Sequence, residues 1–140
     1  MLMGAAPADR MARVLLDSTV LIDALRGRPA AERVRQLRRR GDEPWVCAIS
    51  VEEIWRGVLP GEEAVVRQLF RGLRCAPLGV TEGERAGTWR RSHAEHGVTL
   101  HQADCLIAAA TVSIGAVLAT GNPTDFPMTE VMVDHWPVSG

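Results

Sequence analysis

The chain has 140 residues, which suits one compact domain, and its 46% hydrophobic and 24% charged residues are typical of globular proteins. Sixteen basic residues face seventeen acidic ones, so the net charge of −1 excludes a protein-wide basic field that would attract nucleic acid. All sixteen basic residues are Arg, and the lack of Lys excludes P-loop nucleotide sites, Schiff-base chemistry and protein-kinase chemistry.

The N-terminal residues differ in character from the rest of the chain. Residues 1–12 contain Ala and Pro and lack a secretory apolar core, so we expect a flexible leader, a single domain over residues 13–136 and a tail over residues 137–140. No stretch reaches the roughly 20 apolar residues that a bilayer span requires. Cys47, Cys75 and Cys105 form no C-x-x-C pair and are expected as small buried side chains. These features predict a cytoplasmic protein without a membrane partner.

The first half of the domain alternates strands with helices. An apolar run over residues 13–17 predicts a buried strand, and helices are expected over residues 20–26 and 29–40. Pro29 at the start and Gly41 behind the end of the second helix are in their preferred positions. Residues 45–49 predict the next strand, and residues 50–59 the helix that follows it.

The second half continues this alternation. Residues 62–73 predict an amphipathic helix, and residues 75–78 an edge strand because they contain Pro77. A polar helix over residues 81–96 would begin with the capping box Thr81-x-x-Glu84. An Ala-rich helix over residues 102–114 lies before strands at residues 116–120 and 130–133. The pattern predicts an α/β fold, a three-layer α/β/α sandwich with a mainly parallel central sheet.

Four acids are predicted near the carboxyl ends of strands, where open parallel sheets bind ligands. Asp17 ends the first strand, and Glu53 lies in the first turn of the helix after the second strand. Asp104 lies in the first turn of the Ala-rich helix, and Asp125 follows the strand over residues 116–120. Carboxylates that meet in one cleft repel each other and are best tolerated around a divalent cation. Their hard oxygen ligands suit Mg²⁺ or Mn²⁺.

Each of three acids also has a purely structural interpretation. Glu53 and Ser50 fit a capping box, Asp104 would gain from the helix dipole, and Asp125 suits a turn. Asp17 is the hardest to explain structurally, because it interrupts an apolar strand end. The metal hypothesis therefore depends on the joint placement of all four acids.

Arginines on two predicted helices form the candidate RNA surface. Five of them lie within residues 29–40, where they fit either a solvated helix face or a patch that follows RNA phosphates. Two more directly follow Trp89, a residue expected in the core, and could combine charge with stacking. The candidate RNA contacts are Arg33, Arg38, Arg39, Arg90 and Arg91.

Two other kinds of catalytic site are not favoured. His93, His96 and His101 lack the i, i+4 spacing of helical zinc pairs, and no nearby Cys completes a zinc set. The G-x-S-x-G motif of serine hydrolases is absent.

Four segments together resemble the PIN-domain ribonucleases, and most closely the VapC-type toxins of type II toxin–antitoxin systems. Residues 15–23 read LLDSTVLID, residues 50–57 read SVEEIWRG, residues 104–110 read DCLIAAA, and residues 120–126 read TGNPTDF. The resemblance covers residues 13–134. It implies that the metal-binding acids are Asp17, Glu53, Asp104 and Asp125, and that the polar shell around them comprises Ser18, Thr19, Thr120 and Asn122.

Three neighbouring positions qualify the resemblance. Asp23 matches a second Asp often found in these toxins and equally suits a helix surface. Glu52 lies next to Glu53, and a shift of one position would exchange the two. Gly121 stands where such toxins usually carry a basic residue, which questions a local phosphate contact but not the metal site.

The resemblance implies a Mg²⁺- or Mn²⁺-dependent endoribonuclease that leaves 5′-phosphate and 3′-hydroxyl ends. It also implies a VapB-type antitoxin that covers the acidic cleft, and a homodimer with residues 62–73 as a candidate interface. The alternatives are an RNA-processing nuclease of the same fold outside a toxin–antitoxin system and a catalytically inactive RNA-binding or scaffold domain. Receivers and aspartyl phosphatases fit poorly, because the chain lacks Lys and has Thr at position 19.

Overall fold

A computed structural model describes residues 11–138 of the chain. Residues 1–10 of the expected leader and residues 139–140 of the expected tail lie outside this part. The central sheet has five strands, all of them parallel to their neighbours. They are β1 (Arg13–Leu16), β2 (Glu43–Val46), β3 (Arg74–Cys75), β4 (Val117–Thr120) and β5 (Met132–His135).

Helices connect the strands and cover the sheet. Between β1 and β3 lie α1 (Ser18–Leu25), α2 (Pro29–Arg39), α3 (Ala48–Arg56) and α4 (Glu63–Arg71). Between β3 and β4 lie α5 (Val80–Glu95) and α6 (Gln102–Ser113). A short 3-10 helix at Pro123–Asp125 precedes β5.

The strand order β3-β2-β1-β4-β5 places β1 at the centre of the sheet. Leu15 of β1 is aligned with Trp45 of β2 on one side and with Leu118 of β4 on the other. Since the strands are parallel, their carboxyl ends lie along one edge, which we call the carboxyl edge; the opposite side is the amino edge. The predicted α/β class and parallel sheet are confirmed.

Alternation of side chains along β1 divides the core into two layers. Val14 and Leu16 pack with Val20 and Val34 of the helices α1 and α2, together with residues of α3 and α4. Leu15 points to the other face and packs with α5 and α6. The sheet is therefore covered on both faces, as the three-layer prediction requires.

Several predicted boundaries were wrong by a few residues. The apolar run over residues 45–49 is only partly strand, because α3 already begins at Ala48, and burial alone does not separate a strand end from a first helical turn. The capping box at Thr81 was also wrong. Helix α5 begins at Val80, and the Glu82 carboxylate accepts the Gly79 N–H at 2.6 Å and the Ser113 hydroxyl.

The cysteines only partly follow the prediction. Cys47 and Cys105 are buried, whereas Cys75 is exposed because it lies on the edge strand β3.

Within residues 11–138, no helix combines the length and the apolar composition that crossing a bilayer requires.

Candidate functional site

The first acid lies at the carboxyl end of the central strand. Asp17 follows β1 directly and begins α1, so the strand leads the carboxylate out of the core. The Thr120 hydroxyl at the end of neighbouring β4 donates to Asp17 Oδ2 at 2.7 Å, and Thr19 donates to the same oxygen at 3.1 Å. Only 6% of Asp17 is exposed, and burial raises its pKa against the opposing effect of these hydrogen bonds. The position of Asp17 is thus held by two strands and one helix turn.

The second acid lies on α3 and faces the first. Ser18 Oγ donates to Glu53 Oε1 at 2.5 Å, which joins α1 to α3 beside Asp17. The charge of Glu53 contributes to the raised pKa of Asp17. The capping-box interpretation of Glu53 is wrong, because α3 begins before Ser50 and the Glu53 carboxylate bonds to Ser18 instead.

Two further acids approach the same edge from the loops beyond the sheet. Asp104 lies in the first turn of α6, and Asp125 ends the 3-10 helix after β4. Burial raises the pKa of Asp104 to about 6, and repulsion by Asp125, Asp17 and Glu53 adds to the effect. All three other acids therefore raise the pKa of Asp104, although they are far from it in sequence.

The acidic cluster, defined as Asp17, Glu53, Asp104 and Asp125, has no ion-pair partner among the described residues. His101 at the start of α6 is the positive influence on Asp104, and its effect is smaller than the repulsion from Asp125 and Asp17. The cluster concentrates negative charge at the carboxyl edge.

The chemistry of these groups can be compared with the needs of a divalent cation. Carboxylate and hydroxyl oxygens are the hard ligands that Mg²⁺ and Mn²⁺ prefer. Among the described residues, however, no three His, Cys, Asp or Glu side chains converge closely enough to hold a single ion. The hydroxyls of Thr120 and Ser18 hold the carboxylates of Asp17 and Glu53 in separate hydrogen bonds. The donor set fits such a cation, and a common coordination point for all four acids remains a prediction.

A buried hydroxyl lies one turn before Glu53 on α3. Ser50 is fully buried, and its Oγ has no hydrogen-bond partner among the described residues. An unpaired buried hydroxyl costs about 1–3 kcal/mol.

The predicted polar shell is only partly assembled around the acids. Side chains of Ser18, Thr19 and Thr120 each bond to a cluster carboxylate. Asn122 participates through its backbone, since its N–H donates to Thr120 Oγ1 at 3.0 Å. The Gly121 N–H donates to Thr19 Oγ1 at 2.9 Å, so this backbone turn orients the hydroxyls that hold Asp17.

Gly121 also has a steric role. A Cβ atom there would lie 2.9 Å from the Val138 side chain and 3.3 Å from Thr19 Oγ1. A basic side chain at this position would require the C-terminal segment to move.

Asp23 and Glu52, the two other acids that the sequence places near the candidate site, have different surroundings from the cluster acids. Asp23 is 2% exposed, and its Oδ2 accepts the Ala30 N–H at 3.0 Å, so it caps the beginning of α2. The interpretation of Asp23 as a helix-surface residue is wrong. Glu52 is exposed, in contrast to the half-buried Glu53 beside it.

The arginine candidates fall into two groups. On α2, Arg38 donates to the Gly72 carbonyl at 3.0 Å, Arg39 pairs with Glu32, and Arg33 stacks on the ring of Trp136. The end of α2 leads to the start of β2, so Arg38 and Arg39 lie at the amino edge, away from the acidic cluster. Arg90 and Arg91 lie on α5, where Arg90 Nε donates to the Leu100 carbonyl at 3.2 Å. Leu100 precedes α6, so this second group is near the carboxyl edge.

The structure also reveals neighbours of the cluster that the sequence analysis missed. A cavity beside Asp104 and Asp125 is lined by residues 98–101 and by Thr124 and Pro127. His101 is part of this lining, whereas the ring nitrogens of His93 and His96 bond to carbonyls of α5. The only sequence signal was the position of His101 directly before the Asp104 helix.

Comparisons with known proteins identify relatives over most of the chain. The PIN domain profile matches residues 14–127. Ribonuclease VapC10 of Mycobacterium tuberculosis is 33% identical over 131 residues, which cover 91% of this chain and 96% of the relative. Ribonuclease VapC19 of the same species is 32% identical over 119 residues and covers 81% and 92% of the two chains. These matches confirm the resemblance found in the sequence.

Solved structures share the same fold. A chain of VapBC2 from Rickettsia felis, bound to a DNA fragment from its promoter, has a TM-score of 0.78 at 17% identity, with 89% of this chain and 98% of that chain covered. A chain of DNA-bound VapBC from Salmonella typhimurium has a TM-score of 0.76 at 23% identity, with 90% and 99% covered.

Proposed function

The chain belongs to the PIN-domain family, and on that premise we propose that it is an endoribonuclease that depends on Mg²⁺ or Mn²⁺. The observation that carries the proposal is the acidic cluster, in which Asp125, Asp17 and Glu53 raise the pKa of Asp104 and none of the four acids has an ion-pair partner among the described residues. Such an arrangement destabilises a fold unless a bound cation compensates for it. RNA as the substrate is supported by the relatives named ribonucleases, which match over nearly their whole length.

Each residue of the site has a distinct part in this proposal. Asp17 and Asp104 would bind the cation directly, with Glu53 and Asp125 as further ligands or as acceptors for water. A bound divalent cation would lower the pKa of a nearby water and compensate for the charge on the reacting phosphate. Hydrolysis by water then leaves a 5′-phosphate and a 3′-hydroxyl.

The hydroxyl groups act as positioning residues. Thr120 and Thr19 donate to Asp17 Oδ2, and Ser18 donates to Glu53, so hydrogen bonds within the protein define the orientations of both carboxylates. Residues that orient ligands in this way commonly contribute 10–100-fold to metal affinity or activity, as a rough guide.

We further propose that this nuclease is the toxin of a toxin–antitoxin pair with a VapB-type antitoxin. The named VapC relatives and the VapBC complexes of the same fold support this partner. A groove of about 90 Å³ runs beside Glu53 between α1, α3 and α4, and Ile22, Leu25 and Val58 contribute its apolar lining. A partner segment in this groove would reach the acidic cluster and block it. We also propose a cytoplasmic location, where the nuclease would meet its RNA target.

A homodimer is proposed on a neighbouring surface. Leu59 and Val65 are 53% and 56% exposed, and they lie just before and within α4, the element predicted as an interface. Burial of these side chains against a second copy would remove apolar surface from water. Sedimentation velocity of the purified chain, compared with a Val65→Glu variant, measures whether α4 holds two copies together.

Two adjacent glutamates provide a matched test of the nuclease. Glu53→Gln removes a cluster charge, whereas Glu52→Gln removes an exposed charge one position away. We expect the wild type and Glu52→Gln to cleave RNA with added Mg²⁺ or Mn²⁺, and chelation to stop both. Glu53→Gln should lose at least ~100-fold in cleavage rate, since a cation ligand or its water is lost. Equal cleavage by the two folded variants would contradict the proposed site.

The biological role needs a separate measurement. Induced expression of the wild type should arrest bacterial growth, and expression of Glu53→Gln should not. Co-expression of the antitoxin encoded beside the gene should restore growth. RNA cleavage without growth arrest would instead favour an RNA-processing nuclease, and no cleavage of any RNA would favour a scaffold domain.

A further inference from the structure

A cavity of about 180 Å³ lies directly beside the acidic cluster. One wall is the segment of residues 98–101 that leads into α6, and the other is formed by Thr124 and Pro127 after β4. Asp104 and Asp125 line the boundary between this cavity and the cluster. At roughly 30 Å³ for each water, the volume corresponds to about six waters, so it exceeds the needs of a single bound solvent molecule.

The lining combines apolar faces with free hydrogen-bonding groups. Val98 and Pro127 are exposed and provide apolar surface. Thr99, His101 and Thr124 carry side chains without hydrogen-bond partners in the described part of the chain, and all three are exposed. A planar ring with polar edges matches such a lining, because its faces pack on apolar groups and its edge bonds to hydroxyls.

The charges around the cavity favour a nucleobase over a phosphate group as its occupant. Asp104 and Asp125 border it, so a phosphate placed there would face two carboxylates at short range. A nucleobase is neutral, and its amino groups can donate to carboxylates. His101 can stack on a base in the manner of aromatic side chains in single-stranded RNA recognition.

We propose that this cavity binds the nucleobase adjacent to the scissile phosphate and thereby selects where the RNA is cut. The inference rests on the proposed endoribonuclease function, which puts the scissile phosphate at the acidic cluster. The base of a neighbouring nucleotide then lies within reach of the cavity, because both share Asp104 and Asp125 as walls. His101, Thr99 and Thr124 determine which base is accepted.

Arg90 positions one wall of this base pocket. Its Nε donates to the Leu100 carbonyl at 3.2 Å and ties the segment before His101 to α5. Arg91 beside it is exposed, and it offers positive charge outside the pocket for a phosphate further along the strand. The base therefore enters an acidic pocket while the RNA backbone stays near α5.

The first test maps where each variant cleaves a randomised single-stranded RNA. His101→Ala removes the stacking ring, and Val98→Trp fills the pocket. His96→Ala is the matched control, because His96 is exposed and its side chain bonds only to the Ser92 carbonyl of α5. We expect a base preference at one position beside the cut that His101→Ala and Val98→Trp change at least ~10-fold and His96→Ala keeps. An unchanged preference in both pocket variants would overturn the proposal.

The second test does not depend on catalysis. Each of the four nucleosides is titrated into ¹⁵N-labelled protein, and amide chemical shifts are followed by NMR. We expect shifts at residues 98–101 and 124–126 with at least one nucleoside, and we expect Val98→Trp to abolish them. Shifts elsewhere, or none at these amides, would overturn the base pocket. Shifts here without RNA cleavage would reject the nuclease while leaving a nucleobase site.

Discussion

Within the described part of the chain, acidic side chains are paired with arginines at the amino edge of the sheet, whereas the cluster acids at the carboxyl edge are not. At the amino edge, Glu43 lies between Arg13 at 3.7 Å and Arg74 at 3.4 Å, and Asp42 pairs with Arg40 at 3.3 Å. At the carboxyl edge, the four acids of the cluster form no ion pair among the described residues. The same residue types are therefore neutralised at one end of the strands and left unbalanced at the other.

This difference separates structural acids from functional ones. Exposed ion pairs contribute about 0–1 kcal/mol each, so the acids of the amino edge affect stability little. Unpaired acids at the carboxyl edge disfavour the folded state, because burial and mutual repulsion penalise their charges. A protein tolerates this cost where the charge has a use, such as binding a cation.

The largest expected effect follows from Asp17→Asn. Asn has the same size and can still accept from Thr120, but it removes the most buried charge of the cluster. We expect RNA cleavage to fall by about 10³-fold or more while circular dichroism and the melting temperature show an intact fold. Cleavage within a few fold of the wild type would place the reactive site elsewhere.

A smaller loss is expected from Thr120→Val. The substitution keeps the shape of a fully buried side chain but removes the hydroxyl that donates to Asp17 Oδ2. Cleavage should drop by about 10–100-fold, mainly through weaker binding of Mn²⁺, which isothermal titration calorimetry measures. Thr120→Ser retains the hydroxyl and should restore most of the affinity. If Ser and Val behaved alike, packing and not the hydrogen bond would explain the loss.

Asp104→Asn should stabilise the protein when no metal is present. The pKa of Asp104 is raised to about 6, so the native state favours its protonated form more than the unfolded state does. This favourable contribution is present in acid and is lost as the pH rises through about 6. At about pH 7.5 the charged carboxylate is a penalty, and Asn should raise the free energy of unfolding by roughly 1–3 kcal/mol.

Chemical denaturation in chelator measures this effect. The gain should shrink as the pH falls from about 6 towards the ordinary Asp pKa of 3.8, and it should vanish below that value, where Asp104 is protonated in both states. Added Mg²⁺ should stabilise the wild type and not the variant, since binding to the native state shifts the unfolding equilibrium. A gain independent of pH would show that charge is not its cause.

The smallest effect is expected at the amino edge. Glu43→Gln removes a charge shared by Arg13 and Arg74 but keeps an acceptor for the Trp45 indole N–H. The free energy of unfolding should fall by less than about 1 kcal/mol, and RNA cleavage should not change. A large loss of activity from this variant would erase the distinction between the two edges.

One residue was assigned to the site by local pattern alone. Asp17 interrupts an apolar strand end, so it had to emerge at the carboxyl edge of a parallel sheet. Thr120 was assigned through the family resemblance. The choice between Glu52 and Glu53 could not be made from local pattern, because neighbouring positions on a helix point only about 100° apart. The contact with Ser18 distinguishes them, and it joins two helices that are 35 residues apart in sequence.

Other roles depended on contacts that no local pattern contains. Asp23 caps a helix seven residues away, and Glu82 joins the start of α5 to Ser113 at the end of α6. The base pocket next to Asp104 forms only where the segment before α6 meets the turn after β4.

The sequence by itself determined the parallel α/β fold, the two buried faces of the sheet and the placement of polar residues at strand ends. These properties follow from hydrophobic periodicity, which acts over short stretches of chain. Only the tertiary structure decided which acids lack a cationic partner, which hydroxyls orient them and where a cavity opens beside them. Electrostatic repulsion and cavity shape depend on distances between atoms that are remote in sequence, and folding alone sets those distances.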